Sequence, residues 1–299
     1  MDYTFGDITV ACTNTDRVLF PDSGITKGEM LAYYHDIAPL MVPELRGRAL
    51  SVVRFTKGID KGGFFQKHYQ KHFPPWLDKV ELGTKTRVVY PVVDNAAGLV
   101  YMANQGSIDF HICTNRKGSL DRPDQVVFDL DPPEGNFELV RKTALLLGEL
   151  LLELGLPRFV KTTGGKGLHV VSPLDGKARY DDVNGLCQRV AKLLSTRHPE
   201  IITTEFYKKD RKGRLFFDTM RNAPGATFVT AYSLRGRPNA PVSAPIEWSE
   251  IDDPAMRPDV FHLRVMRARL DHRGDPWRAL RAREGSVAGA VAALRHLEG

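Results

Sequence analysis

Gln125-Val-Val-Phe-Asp-Leu-Asp131, followed at once by Pro132-Pro133, is an apolar stretch that ends on two carboxylates. Its β-branched and aromatic residues predict a strand, and the prolines, which cannot donate to a sheet, predict where it stops. Downstream, the spacing predicts a helix over Phe137–Leu154 that ends at Gly155. Strands follow over Arg158–Thr162 and Leu168–Ser172, then a helix over Asp181–Arg197 and a strand over Arg214–Thr219. Upstream, Ser107–Cys113 alternates apolar with polar, which places Asp109 and His111 on one face. Leu50–Arg54 and Arg87–Val93 read as further strands. The first helix is signalled by the capping box Thr26-Lys27-Gly28-Glu29 and is expected to reach about Leu40, limited by Pro43. Loops with Pro238, Pro241 and Pro245 precede a small last helix over Val287–His296. The irregular alternation and hairpin-length gaps predict an α/β (α+β) fold with mixed or antiparallel sheets flanked by helices, not a parallel doubly wound sheet.

The composition restricts the function classes. The chain has 299 residues, 42% hydrophobic and 26% charged, which excludes a mostly disordered, collagen-like or coiled-coil chain. No apolar run approaches the ~20 residues of a membrane helix, so no membrane partner is expected; the densest, Ala144–Leu156, is broken by Gly148, Glu149, Glu153 and Gly155. The start, Met1-Asp2-Tyr3-Thr4-Phe5, shows no signal peptide. Cys12, Cys113 and Cys187 match neither a disulfide framework nor a zinc spacing and fit a reducing cytosol. A net charge of +6 inclines the chain towards polyanions such as nucleic acid.

Several short motifs carry chemistry. Asp129 and Asp131, two residues apart on an extended segment, leave the same face, where both can converge on a hard divalent cation; the alternative is that they cap the strand. Asp218, at the end of Leu215-Phe216-Phe217, supplies a third carboxylate or is a turn former. In Lys161-Thr-Thr-Gly-Gly-Lys-Gly-Leu-His169, Gly164, Gly165 and Gly167 let backbone N–H groups face outward as an anion nest, with Thr163, Lys166 and His169 as further donors. The spacing is not that of a Walker loop, and a plain glycine hairpin is the alternative. Arg235-Gly236-Arg237 offers two guanidinium groups suited to phosphate, unless both are merely solvated. Phe64-Phe65-Gln66-Lys67 places aromatics beside cations: exposed, they can stack on a base; buried, they are core.

In this order the motifs resemble the polymerase domain of bacterial DNA ligase D, a member of the archaeo-eukaryotic primase superfamily that works with Ku in non-homologous end joining. The resemblance covers nearly the whole chain. It runs from Asn14-Thr-Asp-Arg-Val-Leu-Phe-Pro21 and Gly24-Ile-Thr-Lys27 through Leu45-Arg-Gly-Arg48, Phe64–Lys67, Asn104-Gln-Gly106 and Asp129-Leu-Asp-Pro-Pro133. It continues through the Thr163–His169 loop, Asp218 and Tyr232-Ser-Leu-Arg-Gly-Arg237 to Gly274-Asp-Pro-Trp277. It implies one primase-polymerase-like domain over 1–299, with a DNA and 5′-phosphate-binding part over 1–100, a catalytic core over 101–245 and a C-terminal helical part over 246–299.

By the same resemblance, Asp129, Asp131 and Asp218 are the catalytic, metal-binding carboxylates of a two-metal Mn²⁺ or Mg²⁺ site, and His111 stands near it. Thr163, Lys166, His169, Arg221, Arg235 and Arg237 hold the nucleoside triphosphate substrate. Asn14, Arg17 and Lys27 form a pocket for the 5′-phosphate of a gapped duplex, with Lys27 beside free N–H groups at the helix start, and Phe64 and Phe65 stack near the template. Arg17 and Thr163 depart from the family's common lysine and serine but keep the donor type.

The expected activity is template-directed extension of a 3′-hydroxyl at DNA ends and gaps, ribonucleotides preferred. Ku and a DNA ligase, in cis or in trans, are the expected partners, and the expected location is cytoplasmic, at the nucleoid. A metal-dependent glycosyltransferase also uses Asp-x-Asp but needs neither Asp218 nor a 5′-phosphate pocket. A DNA-end-binding module with a decayed active site would not keep all three carboxylates. A primase that starts chains unprimed is not separated by these motifs. Neither the ligase nor the phosphoesterase module that often accompanies this domain is present. The chain is therefore expected to be a stand-alone polymerase or a piece of a larger protein, with Met1 inclining slightly to the former.

Overall fold

In the computed structural model, which describes residues 1–83 and 86–298, the Asp129 strand spans Gln125–Leu130 and stops where the prolines predict. It lies at the edge of a four-stranded antiparallel sheet ordered Gln125–Leu130, Leu168–Pro173, Phe159–Thr162 and Pro245–Ile246. A second four-stranded antiparallel sheet is ordered Phe228–Val229, Ser107–Ile112, Leu50–Arg54 and Phe64–Gln66. The expected α/β architecture of mixed or antiparallel sheets with flanking helices is therefore present. Among the described residues, parallel pairing occurs between Ile202–Thr203 and Leu215–Phe216 and at the isolated bridge of Leu174 with Gly285.

Each sheet belongs to its own unit. The first unit is Met1–Lys117 with Thr227–Ala244 and Phe261–Gly274; the second is Gly118–Ala226 with Pro245–Val260 and the chain from Asp275 onward. These boundaries differ from the divisions 1–100, 101–245 and 246–299 because sheet pairing ignores sequence distance. Ser107–Ile112 pairs along Leu50–Arg54, with Leu50 opposite Ile112, and Phe228–Val229 joins its other edge, with Val229 opposite His111.

In the first unit the helix Lys27–Leu45 begins at the predicted capping box: the Glu29 N–H donates to Thr26 Oγ1 (3.2 Å) and the Thr26 N–H to Glu29 Oε2 (3.0 Å). It then runs through Pro39 and Pro43 to Leu45, five residues past the expected end. Each proline removes a backbone donor, but Met41, Val42 and Leu45 are buried, which holds the last turns in place, and the helix packs on the helix Ala96–Asn104.

In the second unit the helix Phe137–Glu153 buries Val140, Ala144, Leu147 and Leu151 against the Asp129 sheet. It ends at Gly155, whose φ of +70° suits glycine; the Leu156 N–H donates back to Leu151 O (2.8 Å). The helix Tyr180–Arg197 packs on the last helix, Val287–Glu298. Trp277 is buried and its indole N–H donates to Val160 O (3.0 Å), tying the Gly274–Trp277 motif to the sheet. The strand expected over Arg214–Thr219 shrinks to Leu215–Phe216. Asp218 makes one isolated bridge to Asp129 and then accepts from the Met220 N–H (2.7 Å), which turns the chain into the 3-10 turn Met220–Asn222.

Candidate active site

A row of ionisable residues crosses the second unit's sheet. Asp218 lies opposite Asp129, Asp129 opposite His169, and His169 opposite Lys161. Directly opposed residues of an antiparallel ladder carry their side chains on one face, so the register alone assembles this row.

Asp129 is buried, and both of its oxygens are engaged: Oδ1 lies 3.2 Å from His169 Nε2 and Oδ2 accepts from Arg221 Nε at 2.9 Å. Burial would raise the Asp129 carboxyl, but the His169 ring and the Arg221 guanidinium beside it outweigh that and hold it well below the usual carboxylate range. His169 is pushed below its ordinary value by burial, with the Lys161 ammonium acting in the same direction against the pull of Asp129. Arg221 is the converse case: burial lowers it, while Asp129, Asp218 and Asp131 together outweigh burial and raise it.

Among the described residues, no three His, Cys, Asp or Glu side chains are gathered closely enough to hold a metal ion. The physical reason is that Asp129 directs its oxygens to His169 and Arg221, and exposed Asp131 lies just beyond the strand. The donor set nevertheless fits a divalent cation. The fields of Asp129, Asp131 and Asp218 all act on the Arg221 guanidinium, which serves as their cationic counter-ion.

Asn222 holds this geometry and was not visible in the sequence pattern. Its Oδ1 accepts from the Val127 N–H (2.9 Å) and its Nδ2 donates to Val127 O (2.8 Å), so the turn carrying Arg221 is stitched to the Asp129 strand. An asparagine among polar neighbours carries no periodic signal. Lys161 was also missed as part of the row; it is fully buried, where a lysine is rarely found.

The Thr163–Gly167 loop closes on itself. The Thr163 hydroxyl, expected to face an anion, donates to Gly167 O (3.1 Å) and accepts from the Gly165 and Gly167 N–H groups (both 3.2 Å). Thr163 thus organises the loop, and exposed Lys166 is its outward cation. Gly164 takes a φ of +60°. A Cβ at Gly167 would collide with Leu130 O and lie 2.9 Å from Asp131 Oδ1, so only glycine lets the loop approach the Asp129 strand end.

The remaining predicted residues lie in the first unit. Asp109 Oδ2 accepts from Arg235 Nε (2.7 Å), and Arg237 is exposed. Phe64 and Phe65 are 49% and 55% exposed, which decides against core packing. The Arg54 guanidinium lies 5.5 Å above the Phe64 ring, and Phe65 meets His111 edge-on at 6.2 Å. His111 therefore belongs to the sheet that carries the aromatics, while Asp129, Asp131 and Asp218 belong to the other unit.

Asn14, Arg17 and Lys27 gather around one turn. Asn14 sits at φ +54°, its carbonyl accepts from the Arg17 N–H (3.2 Å), and Lys27 Nζ donates to Thr13 O (2.8 Å). Asn104 braces the turn, accepting from the Thr13 N–H (3.3 Å) and donating to Ala11 O (3.1 Å). The helix N–H groups expected to be free are engaged: Lys27 N donates to Arg17 O (2.8 Å), Gly28 N to Thr15 O (2.7 Å), and Glu29 N to Thr26. An anion here would meet side chains and not amides. Burial lowers the Lys27 ammonium below its ordinary value; Cys12 opposes this and the neighbouring Arg17 charge adds to it.

The antiparallel sheet that aligns Asp129 with His169 and Asp218 beside a glycine-rich loop belongs to a primase-polymerase type of nucleotidyltransferase. The family described as LigD, primase-polymerase domain, matches residues 26–277, and the chain belongs to that family of DNA-directed nucleotidyltransferases. It is 35% identical over 258 residues to the multifunctional non-homologous end joining DNA repair protein LigD of Mycobacterium tuberculosis, covering 83% of this chain and 34% of that protein. It is 34% identical over 274 residues to LigD of Pseudomonas aeruginosa, covering 90% of this chain and 32% of that protein. It is 28% identical over 267 residues to the bifunctional LigD of Bacillus subtilis, covering 89% and 43%. The chain thus spans between about a third and under half of the length of these relatives. The solved polymerase domain of Mycobacterium tuberculosis ligase D, in complex with DNA, superposes with a TM-score of 0.86 at 32% identity, covering 92% of this chain and 99% of that one. Among the described residues, no helix is long and apolar enough to cross a membrane.

Proposed function

We propose that this chain adds nucleotides, ribonucleotides preferred, to the 3′-hydroxyl of DNA ends and gaps under template direction during non-homologous end joining. Ku and a DNA ligase are its partners, in cis or in trans. The observation that carries this reading is the alignment of Asp218, Asp129 and His169 in one row at the root of the Thr163–Gly167 loop. Aligned carboxylates beside a glycine-rich loop with an outward lysine suit a phosphoryl-transfer centre.

In the reaction the primer O3′ attacks the α-phosphorus, the bond from that phosphorus to the bridging oxygen breaks, and pyrophosphate leaves; the hydroxyl proton passes to solvent. Asp129, Asp131 and Asp218 would hold Mn²⁺ or Mg²⁺, which supplies charge neutralisation and a lowered pKa at the primer hydroxyl. Lys166 draws the triphosphate in and His169 turns its one N–H from Asp129 towards it, while Arg235 and Arg237 of the first unit offer guanidinium donors to phosphate. Arg221 moves its guanidinium from Asp129 to the triphosphate as substrate arrives. Thr163 keeps the loop N–H groups oriented. Catalysis is positioning and charge neutralisation, since the protein itself forms no bond to the substrate.

Arg17, Lys27 and Asn14 receive the 5′-phosphate on the far side of a gap, and exposed Phe64 and Phe65 stack on template bases. His111, in edge contact with Phe65, orients that aromatic surface. The test is extension of a gapped, 5′-phosphorylated duplex with Mn²⁺ and each nucleotide separately, for wild type, Asp129→Asn and Asp131→Asn. Templated products from wild type, a fall of at least about 10²-fold in the variants, and unchanged DNA binding are expected. No extension with any nucleotide or metal returns the chain to a DNA-end-binding role.

A further inference from the structure

Arg235 and Gly236 of the Arg235-Gly236-Arg237 segment are held by several independent contacts. Asp109, a buried residue of the strand Ser107–Ile112, accepts from Arg235 Nε through Oδ2 and from the Gly236 backbone N–H through Oδ1, both at 2.7 Å. The Phe55 ring also stands close against Gly236, where an added Cβ would collide with it. The approach is reinforced upstream: the Phe110 N–H donates to Ser233 Oγ (2.8 Å), the Leu234 N–H to Tyr34 Oη (3.0 Å), and Tyr33 Oη donates to Tyr232 O (2.7 Å). Tyr232 itself sits at a φ of +67°, a conformation that surrounding contacts must impose on a bulky residue.

One carboxylate thus fixes both the side chain of Arg235 and the backbone that leads to Arg237. Arg235 is drawn down to 18% side-chain exposure, while Arg237 remains exposed. A guanidinium carries its donors in a rigid fork, so fixing the Nε edge also fixes the direction of the opposite edge. An unheld Arg-Gly-Arg segment would have to lose that freedom at each binding event, at a cost that preorganisation removes.

We propose that Asp109 is the positioning residue of the nucleotide triphosphate site, orienting Arg235 and the Gly236 backbone so that the arginine pair is presented preformed. This rests on the reading above that Arg235 and Arg237 hold the triphosphate. Asp109 acts through them and touches no substrate.

The test uses Asp109→Asn, which keeps the shape and an acceptor for Gly236 but removes the charge that holds Arg235. It is compared with Arg235→Ala, Arg237→Ala and the double variant Asp109→Asn, Arg235→Ala in steady-state extension of the gapped duplex, with thermal melting and DNA-binding measurements alongside. Asp109→Asn is expected to raise the nucleotide KM on the order of tenfold, the scale seen when a group that orients a ligating side chain is lost. Its kcat and DNA affinity should stay close to wild type. In the Arg235→Ala background the same change should add little to KM, because its intermediary is gone. If both arginine variants raise KM while Asp109→Asn leaves it unchanged, or lowers only kcat and melting temperature, Asp109 is merely structural and the proposal fails while the triphosphate assignment stands. If neither arginine variant raises KM, the assignment fails and the proposal with it.

Discussion

Asp129 Oδ2 and Arg221 Nε, 92 residues apart in the chain, lie 2.9 Å apart in the fold, and the guanidinium sits in the combined field of Asp129, Asp131 and Asp218. On the proposed reading, a fixed cation and a divalent metal compete for the same carboxylates. Removing the guanidinium alone leaves the buried Asp129 charge with the His169 contact only, and an ion pair broken on one side costs more than the pair contributes intact.

Arg221→Gln is expected to lower stability by about 1.5–3 kcal/mol, the range for a charge-assisted hydrogen bond; the lower end applies because the Arg221 side chain is 43% exposed. Mn²⁺ should stabilise the variant more than wild type, since no guanidinium has to be displaced. Urea unfolding with and without Mn²⁺ reads both effects, and an equal or smaller Mn²⁺ gain in the variant rules out the competition.

Gly167→Ala is expected to destabilise by about 1–3 kcal/mol, as overpacking against backbone does, and to raise the nucleotide KM by shifting the loop from the Asp129 strand end. Gly185 provides the contrast: it lies within the helix Tyr180–Arg197 with nothing within 4 Å of an added Cβ. Gly185→Ala should stabilise by about 0.4–1 kcal/mol without affecting activity. Denaturation midpoints that move in the same direction for both variants contradict the described backbone approach.

The double change Arg17→Ala, Lys27→Ala should erase a preference for 5′-phosphorylated over 5′-hydroxyl gaps, with a loss of about 1.5–3 kcal/mol per charged contact that shrinks as salt rises. Simple primer-templates without a downstream strand should be much less affected. Because the helix amides here are engaged by Arg17 O and Thr15 O, no residual phosphate preference is expected from the backbone. Paired binding isotherms on matched duplexes test this, and a preference that survives the double change places the pocket elsewhere.

Phe65→Ala should weaken binding of single-stranded template by about 1–3 kcal/mol, the scale of one base stack, while barely altering the melting temperature, since the ring is 55% exposed. A large loss of stability with unchanged DNA affinity would make Phe65 a packing residue.

Local patterns were legible where the chain's own geometry decides them. The capping box at Thr26, the strand ended by Pro132-Pro133 and the helix stopped by Gly155 all depend on residues within a few positions of one another. Legibility failed where distant packing overrode a local preference. Helix Lys27–Leu45 continues through two prolines because its last turns are buried, and the strand over Arg214–Thr219 was cut short by the carboxylate of Asp218 capping its own turn.

The sequence by itself determined the donors: carboxylates at Asp129, Asp131 and Asp218, cations at Lys166, Arg235 and Arg237, and glycines where backbone must approach closely, because residue chemistry needs no coordinates. Only the tertiary structure decided how they are employed. Cross-strand register aligned Asp218, Asp129, His169 and Lys161 in one row, and register is set by pairing between segments that no local pattern relates. Burial turned the Thr163 hydroxyl inward, engaged the amides at Lys27 and Gly28, and placed Asp109 under Arg235. A buried polar group must find a partner, and which partner is within reach is settled by the fold alone.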